Sequence, residues 1–118
     1  LGALVAWPTG DDLIAWMAKR GQSNVEYDET LIGDVVEEVS ELVAARCGLA
    51  FVDDNDDPTL ISKVQRRAII RQAHRAWVRR DNPEGIIGIG ETGVRVSRLD
   101  PDIEDMLTPS TVIHIGHP

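Results

Sequence analysis

Apolar residues recur at three- and four-residue spacing in the first half of the chain, which is the pattern of helices with one buried face. The longest such stretch runs from Asp28 to Gly48, and acidic residues fill many of its remaining positions. Asp is favoured at a helix N-terminus, and Gly at the position that closes a C-terminus. A shorter stretch of the same kind ends near Arg20. The pattern therefore predicts helices over 10–20 and 28–48.

Two further helices are predicted in the second half. One covers 59–80, because Pro58 suits a helix start and Pro83 a helix stop. The other covers 101–107; it opens with a proline, whose missing N–H costs nothing in a first turn, and carries carboxylates at its positive end. Pro109 is predicted to end this fourth helix.

The remaining segments predict a different structure. Residues 84–98 combine glycines with β-branched side chains, which favours a β-like loop or hairpin. The apolar end of the chain is predicted to be extended. The fold class is therefore mainly α: a small bundle of about four helices with a glycine-rich β-like loop, in a domain spanning 1–109, followed by an extended C-terminal tail over 110–118.

Charge is distributed unevenly along the chain. The net charge of the 118 residues is −8, but residues 1–60 hold three bases and thirteen acids, whereas 61–118 hold nine bases and seven acids. The third helix carries a block of seven bases with no acid between them. Such a division has two interpretations: the acidic and basic parts pair within the chain, or they face neighbouring subunits.

Length and composition exclude several classes of protein. A chain of 118 residues is of single-domain size, and one cysteine cannot form an internal disulfide or a zinc cage. No apolar run is long enough to cross a bilayer, and the first residues lack the cationic flank of a signal peptide. The sequence predicts a soluble intracellular protein without membrane contacts. Its acidic balance argues against nucleic-acid binding over the whole surface.

Two motifs match binding sites only in part. Gly88–Gly93 has the letters of a dinucleotide fingerprint, but strand-like residues follow where a helix is needed. Asp53–Asp57 has the spacing of the first calcium-loop ligands, but Pro58 and Val64 stand where Gly and Glu are required. The first is interpreted as a glycine loop and the second as an acidic turn, preceded by an apolar segment, Leu49–Phe51, that is expected to return to the core.

The remaining reactive residue types form no catalytic pattern. Cys47 lies on the apolar stripe of the second helix and is predicted to be a core residue. His74 is far in sequence from His114 and His117, and the latter pair has no neighbouring Cys or acid that would complete a metal site. We therefore predict no enzyme activity, no catalytic residues, no cofactor and no metal.

Several short motifs, in their order along the chain, resemble the head-to-tail adaptor, or connector, proteins of long-tailed (siphovirus-type) bacteriophages. In that family a Cys-Gly ends the long helix, an Arg-rich helix leads into a Pro-x-Gly turn, and an Asp-Pro-Asp helix ends the body. The matching segments here are Pro8-Thr9-x-Asp11-Asp12-Leu13, Ala45-x-Cys47-Gly48, Arg79-Arg80-x-x-Pro83-x-Gly85 and Asp100-Pro101-Asp102-Ile103-x-x-Met106-Leu107.

The resemblance implies a structural virion protein of the phage neck, assembled in the host cytoplasm. Such proteins form a ring, commonly of twelve copies, that joins the portal protein to the stopper or tail-completion protein. DNA passes through the lumen of the ring without specific binding. The family has no catalytic residues to carry over.

Three sets of residues are candidate contacts. A ring needs two different complementary faces on each subunit, and the basic row and the acidic helix are opposite in charge. The extended tail is expected to add as a strand to a partner's sheet edge. The basic row facing a neighbouring subunit or the portal is Lys63, Arg67, Arg71, Arg75 and Arg79; the acidic set is Glu37, Glu38 and Glu41; the strand is Val112, Ile113, His114 and Ile115.

Two other functions are compatible with the sequence. A small DNA-binding regulator could use the basic helix 59–80 to grip phosphates, and would be retained on DNA at low salt. A small interaction protein of the antitoxin kind is a third interpretation. Rings formed by the purified chain would favour the adaptor over both.

Overall fold

Four helices and one short two-stranded sheet make up the computed structural model, which describes residues 3–21, 28–79 and 98–112. In chain order the elements are β1 (Leu4–Val5), α1 (Gly10–Ala18), α2 (Glu29–Cys47), β2 (Ile61–Ser62), α3 (Lys63–Arg79) and α4 (Pro101–Val112). The prediction of a mainly α fold with about four helices is confirmed. The glycine-rich loop predicted at 84–98 lies outside the described residues except for Arg98, as do His114 and His117.

The helices share one apolar core. α2 and α3 pack along each other, α1 lies against both, and α4 closes the opposite side. Fully buried aliphatic side chains come from every helix, so that each helix depends on the others for the burial of its apolar face. They include Leu13 and Met17 of α1, Ile32, Val35, Val39 and Val43 of α2, Ile69 and Ala73 of α3, and Ile103 and Leu107 of α4.

Local signals fix the start of α1 and both ends of α2 as the sequence predicts, whereas α1 ends at Ala18, two residues before the predicted end. The Thr9 N–H donates to the Asp12 carboxylate at 2.8 Å, and the Asp28 carboxylate accepts from the Leu31 N–H at 3.0 Å. Each bond satisfies a backbone donor that has no partner inside a helix. Gly48 closes α2 with a φ of 69°, in the left-handed region that glycine adopts without strain.

The start of α3 differs from the prediction. Residues 59–62 are not helical; Ile61–Ser62 instead pairs antiparallel with Leu4–Val5. α3 then begins with a reciprocal cap: the Gln65 N–H donates to the Ser62 hydroxyl at 3.1 Å, and the Ser62 N–H donates to the Gln65 side-chain oxygen at 2.9 Å. This capping box defines the start four residues after the predicted one.

The C-terminal end of α4 also differs. The helix continues through Pro109 to Val112, so the predictions that Pro109 ends it and that Thr111 and Val112 are extended are wrong. A proline removes one backbone donor and does not prevent the residues after it from taking helical dihedral angles. The rest of the predicted tail, Ile113 onward, lies outside the described residues.

α1 and α2 lie close together where Gly10 faces Gly33. A Cβ placed on Gly10 would lie 3.1 Å from the Gly33 Cα and 3.2 Å from the Gly33 nitrogen, whereas a Cβ placed on Gly33 would meet nothing within 4 Å. The close approach therefore requires the absence of a side chain at Gly10. Among the described helices, none has the length and apolar character needed to cross a membrane.

Candidate functional site

The basic row of α3 divides into two parts with different surroundings. Lys63, Arg67 and Arg71 are exposed, and within residues 3–21, 28–79 and 98–112 no carboxylate lies at ion-pair distance from any of them. Arg75 and Arg79, the last two members of the row, bind carboxylates of the same chain. Among the described residues, three cations of the predicted row thus have no ion pair, and two hold the fold.

The paired part of the row fastens α4 to α3. Arg75 donates to both oxygens of Asp102 at 2.7 Å and to Asp100 at 3.0 Å, and Arg79 donates to Asp100 at 2.8 Å. The Asp100 N–H donates to the side-chain oxygen of buried Gln72 at 2.8 Å. The carboxylate of Asp100 therefore accepts hydrogen bonds from two guanidinium groups, immediately before the first residue of α4.

These contacts change the pKa of each acid. Hydrogen bonds from Arg79 and then from Arg75 hold the pKa of Asp100 below its ordinary value, against the opposing effect of burial. The hydrogen bonds from Arg75 lower the pKa of Asp102 to about 2. The same carboxylates raise the pKa of Arg75 further above its already high value. Asp100, Asp102 and Arg75 are therefore charged at neutral pH.

A cleft of about 540 Å³ opens where β1, α1 and the first half of α3 meet. Its apolar surface comes from β1, α1 and α3, and its cations all come from α3. The lining residues are Val5, Ala6, Trp16, Lys63, Arg66, Arg67 and Ile70. Two unpaired cations of the basic row thus stand beside an apolar floor, which suits a ligand that is both anionic and apolar.

Arg66, the third cation of the cleft, forms an ion pair with Asp12. Arg66 lies 3.0 Å from an oxygen of Asp12 in α1, and its side chain is 35% exposed. A guanidinium has five N–H donors in a fixed plane, so this one ion pair leaves donors for a further acceptor. Asp12 therefore orients Arg66 without using all of its donors.

Trp16 forms the wall of the cleft next to His74. The Arg20 guanidinium carbon lies 3.6 Å from the centre of the indole ring, and the His74 ring centre lies 4.8 Å from it. The Nε2 atom of His74 is buried, and the described residues give it no hydrogen-bond partner. Burial, followed by the charges of Arg20 and Arg75, lowers the pKa of His74 below 6.5. The imidazole is therefore neutral at pH 7.

The predicted acidic contact residues lie on the outer side of α2. Glu37 and Glu41 are exposed and Glu38 is half-buried. In the described part of the chain, none of the three has a base at ion-pair distance. The acidic set and the three unpaired cations of the basic row thus occupy two helices of one chain without pairing with each other.

A second acidic surface is the turn 51–58. Phe51 and Val52 are 39% and 48% exposed, so the expected return of Phe51 to the core is wrong; only Leu49 of that segment packs against it. Phe51 instead stacks on Trp7, with ring centres 4.4 Å apart. Four exposed aspartates follow, and the described residues place no base within ion-pair distance of them.

The sequence predicted the basic row. It predicted neither the cleft nor the ion pairs of Arg75 and Arg79 that hold α4 against α3. The cleft depends on β1, whose two residues give no strand pattern, and on the return of β2 beside it. The pairing of Arg75 with Asp102 had a weak signal in the Asp-Pro-Asp start of α4. In the part of the chain that the structure describes, no three His, Cys, Asp or Glu side chains are placed to hold a metal ion.

Comparison with family models, with curated protein sequences and with solved structures finds no match to this chain.

Proposed function

We propose that the chain is a structural subunit of the neck of a tailed bacteriophage virion, in which copies form a ring between the portal protein and the stopper or tail-completion protein. In this proposal the ring has about twelve subunits, continues the DNA channel without specific DNA binding, and is assembled in the host cytoplasm. The motifs that resemble head-to-tail adaptor proteins suggested it. What supports it in the fold is the placement of charge.

The observation that carries the proposal is the coexistence of two unpaired surfaces of opposite charge. The exposed cations Lys63, Arg67 and Arg71 lie along one face of α3, and the carboxylates of Glu37 and Glu41 lie along the outer face of α2. A heterologous contact between copies needs two different and complementary surfaces on each subunit. This chain carries such a pair.

The same charges are unfavourable in an isolated subunit. Lys63, Arg67 and Arg71 are spaced four residues apart, as are Glu37 and Glu41, so each set places like charges side by side on a helix. Like-charge pairs at this spacing cost roughly 0.2–0.5 kcal/mol each. A partner of opposite charge removes this cost, which is an argument that the two surfaces serve contacts between chains.

The direct test is virion assembly with reversed charges. A phage carrying Lys63→Glu, Arg67→Glu and Arg71→Glu should produce filled heads that lack tails, because the reversed charges repel the acidic surface of the neighbouring copy. All three side chains are exposed, so the subunit itself is expected to fold. Negative-stain electron microscopy of the particles would show the separated heads. Normal tailed particles would contradict the proposal.

Lys19→Glu provides the matched control. Lys19 is an exposed base at the C-cap of α1, outside the basic row, so its reversal changes the net charge in the same direction without touching the proposed contact surface. We expect it to assemble normally. Circular dichroism of each purified variant would show whether the subunit still folds.

The DNA-binding alternative is weakened by the internal ion pairs. Of the basic residues between 63 and 79, Arg66, Arg75 and Arg79 already bind carboxylates of the same chain. We expect no binding of the purified chain to a short duplex at about 150 mM salt, measured by fluorescence anisotropy. Tight binding with a steep dependence on salt, abolished by the triple reversal on α3, would favour the regulator instead.

A further inference from the structure

The cleft between β1, α1 and α3 has the lining of a binding site for an acidic peptide segment that also carries apolar side chains. Val5, Trp16 and Ile70 supply apolar surface, while Lys63 and Arg67 supply cations that have no carboxylate partner in the described chain. Its volume of about 540 Å³ lies within the range of ligand clefts, about 300–1,000 Å³. A ligand without apolar groups would leave the apolar surface of the cleft in contact with water. A ligand without acidic groups would leave Lys63 and Arg67 without an ion pair.

The described chain itself presents a segment with both properties. In the turn 51–58 the exposed apolar side chains of Phe51 and Val52 are followed directly by four exposed aspartates. The acidic face of α2 lacks this combination, because its neighbouring leucines, Leu31 and Leu42, pack against the core. Of the two acidic surfaces, the turn therefore matches the cleft in both charge and apolar character.

The turn is ordered before any partner binds. The Asp53 carboxylate accepts from the Asn55 N–H at 2.8 Å and from the Asp57 N–H at 3.0 Å. At its base, Val52 and Pro58 form an antiparallel bridge. Because the turn is already held in one conformation, little conformational entropy is lost when a partner binds it.

The same anchoring keeps the turn away from the cleft of its own chain. Phe51 is stacked on Trp7, and Thr59 accepts from the Trp7 indole N–H at 3.0 Å and donates to the Ala50 carbonyl at 2.6 Å. With its base so fixed, none of the aspartates of the turn reaches a cation of the cleft. The aspartates of the described turn can therefore meet these cations only when the turn and the cleft belong to different copies.

We propose that the turn 51–58 of one copy sits in the cleft of a neighbouring copy, with its aspartates against Lys63 and Arg67 and its apolar side chains on the floor formed by Val5, Trp16 and Ile70. This contact rests on the proposed self-assembly of the chain. It assigns the turn 51–58 as the acidic surface that Lys63 and Arg67 contact. Arg71, which does not line the cleft, remains available for the acidic face of α2.

Cross-linking between two single-cysteine variants tests the contact. In a Cys47→Ser background, Asp54→Cys and Arg67→Cys chains, one carrying an affinity tag, are mixed at about 1 mM, where even millimolar contacts are populated. A short bis-maleimide is then added. We expect a covalent heterodimer from this pair, with at least tenfold less from Glu37→Cys mixed with Arg67→Cys. Mass spectrometry identifies the joined peptides.

The outcomes separate the inference from the function on which it rests. If Glu37→Cys cross-links to Arg67→Cys and Asp54→Cys does not, the turn is the wrong occupant and association through α2 stands. If neither pair cross-links, the inference is overturned, while the neck function is still decided by the assembly of the triple-reversal phage.

A charge exchange gives a second, independent measurement. Lys63→Glu with Arg67→Glu should weaken self-association, followed by sedimentation velocity, by at least about tenfold. Mixing this variant with Asp54→Lys, Asp57→Lys should restore association, since the hydrogen bonds of the turn use the Asp53 carboxylate and the backbone of Asp57. Lack of restoration with folded variants would overturn the inference.

Discussion

Arg75 and Asp102 are joined by two parallel hydrogen bonds, each 2.7 Å long, between the ends of their side chains. This geometry is the strongest arrangement that a guanidinium and a carboxylate can make. Its position matters as much as its strength, because it connects the C-terminal part of α3 to the first turn of α4. Two residues of the basic row that the sequence assigned to a partner, Arg75 and Arg79, therefore hold α4 in place.

Asp100 should contribute more to stability than Asp102. Its side chain is 21% exposed and accepts from two guanidinium groups, whereas the Asp102 side chain is 62% exposed and binds one. We expect Asp100→Asn to lower the free energy of unfolding by about 1–3 kcal/mol and Asp102→Asn by less. Urea denaturation measures both. Asp105→Asn, on an exposed site of the same helix, is the control; an equal effect at all three positions would contradict the assignment.

Acid should weaken the attachment of α4. Both aspartates have a folded-state pKa below the ordinary value of 3.8, so their contribution to stability is present above pH 4 and is lost as the pH falls toward 2. The difference in urea midpoint between the wild type and the Asp100→Asn, Asp102→Asn double variant should therefore be constant above pH 4 and shrink below it. A difference that stayed unchanged down to pH 2 would be contrary to this expectation.

His74 should make the free energy of unfolding depend on pH between 7.5 and 5, above the range in which the two aspartates titrate. Its pKa is lowered in the fold, so the unfolded chain takes up the proton first and stability falls as the pH drops below 6.5. His74→Gln should flatten the urea midpoint between pH 7.5 and 5. The double variant His114→Gln, His117→Gln is the matched control and should retain the slope; if it removes the slope, the titrating group is not His74.

Because of the contact between Gly10 and Gly33, replacing each glycine by alanine should change the stability of the chain in opposite directions. Gly10→Ala places a methyl group against the backbone of α2 and should destabilise the chain by about 1–3 kcal/mol. Gly33→Ala meets nothing and improves the propensity of a helix interior, so it should stabilise by about 0.5–1 kcal/mol. Thermal melts of the two variants read out the sign directly, and a shift in the same direction for both would show that the helices are not packed as described.

Glu41→Lys should raise stability and impair assembly. A lysine at this position replaces a like-charge neighbour of Glu37 with an opposite one, which stabilises an isolated helix by about 0.2–0.5 kcal/mol. In the phage, the same change removes part of the acidic surface proposed to contact a neighbouring subunit. A higher melting temperature together with fewer tailed particles is the expected pair of results; full assembly would argue that Glu41 lies outside the contact.

The helices were predictable where a local signal and the apolar pattern agreed. Asp28 and Gly48 mark the ends of α2 as expected, because a carboxylate cap and a left-handed glycine act within one turn of the chain. At the start of α3 two local signals compete. Pro58 suits a helix start, but Ile61 and Ser62 gain strand partners in β1, and the cap between Ser62 and Gln65 then places the helix start four residues later.

The candidate surfaces were predictable only in part. The spacing of Lys63, Arg67 and Arg71 shows that they share a face of a helix, and they do lie exposed on α3. Spacing alone cannot show that Arg75 and Arg79 meet carboxylates more than twenty residues away. The cleft likewise depends on distant parts of the chain, since β1 and α1 reach α3 only through tertiary packing.

The ion pair of Arg79 with Asp100 brings the end of α3 and the entrance of α4 together. The two described residues that flank the glycine-rich part of the sequence therefore lie next to each other. The entropic cost of closing a loop rises slowly with its length, by only about 0.6 kcal/mol for each doubling. Evolution can accordingly lengthen, shorten or rewrite that stretch to suit a new partner while the four-helix body keeps its stability.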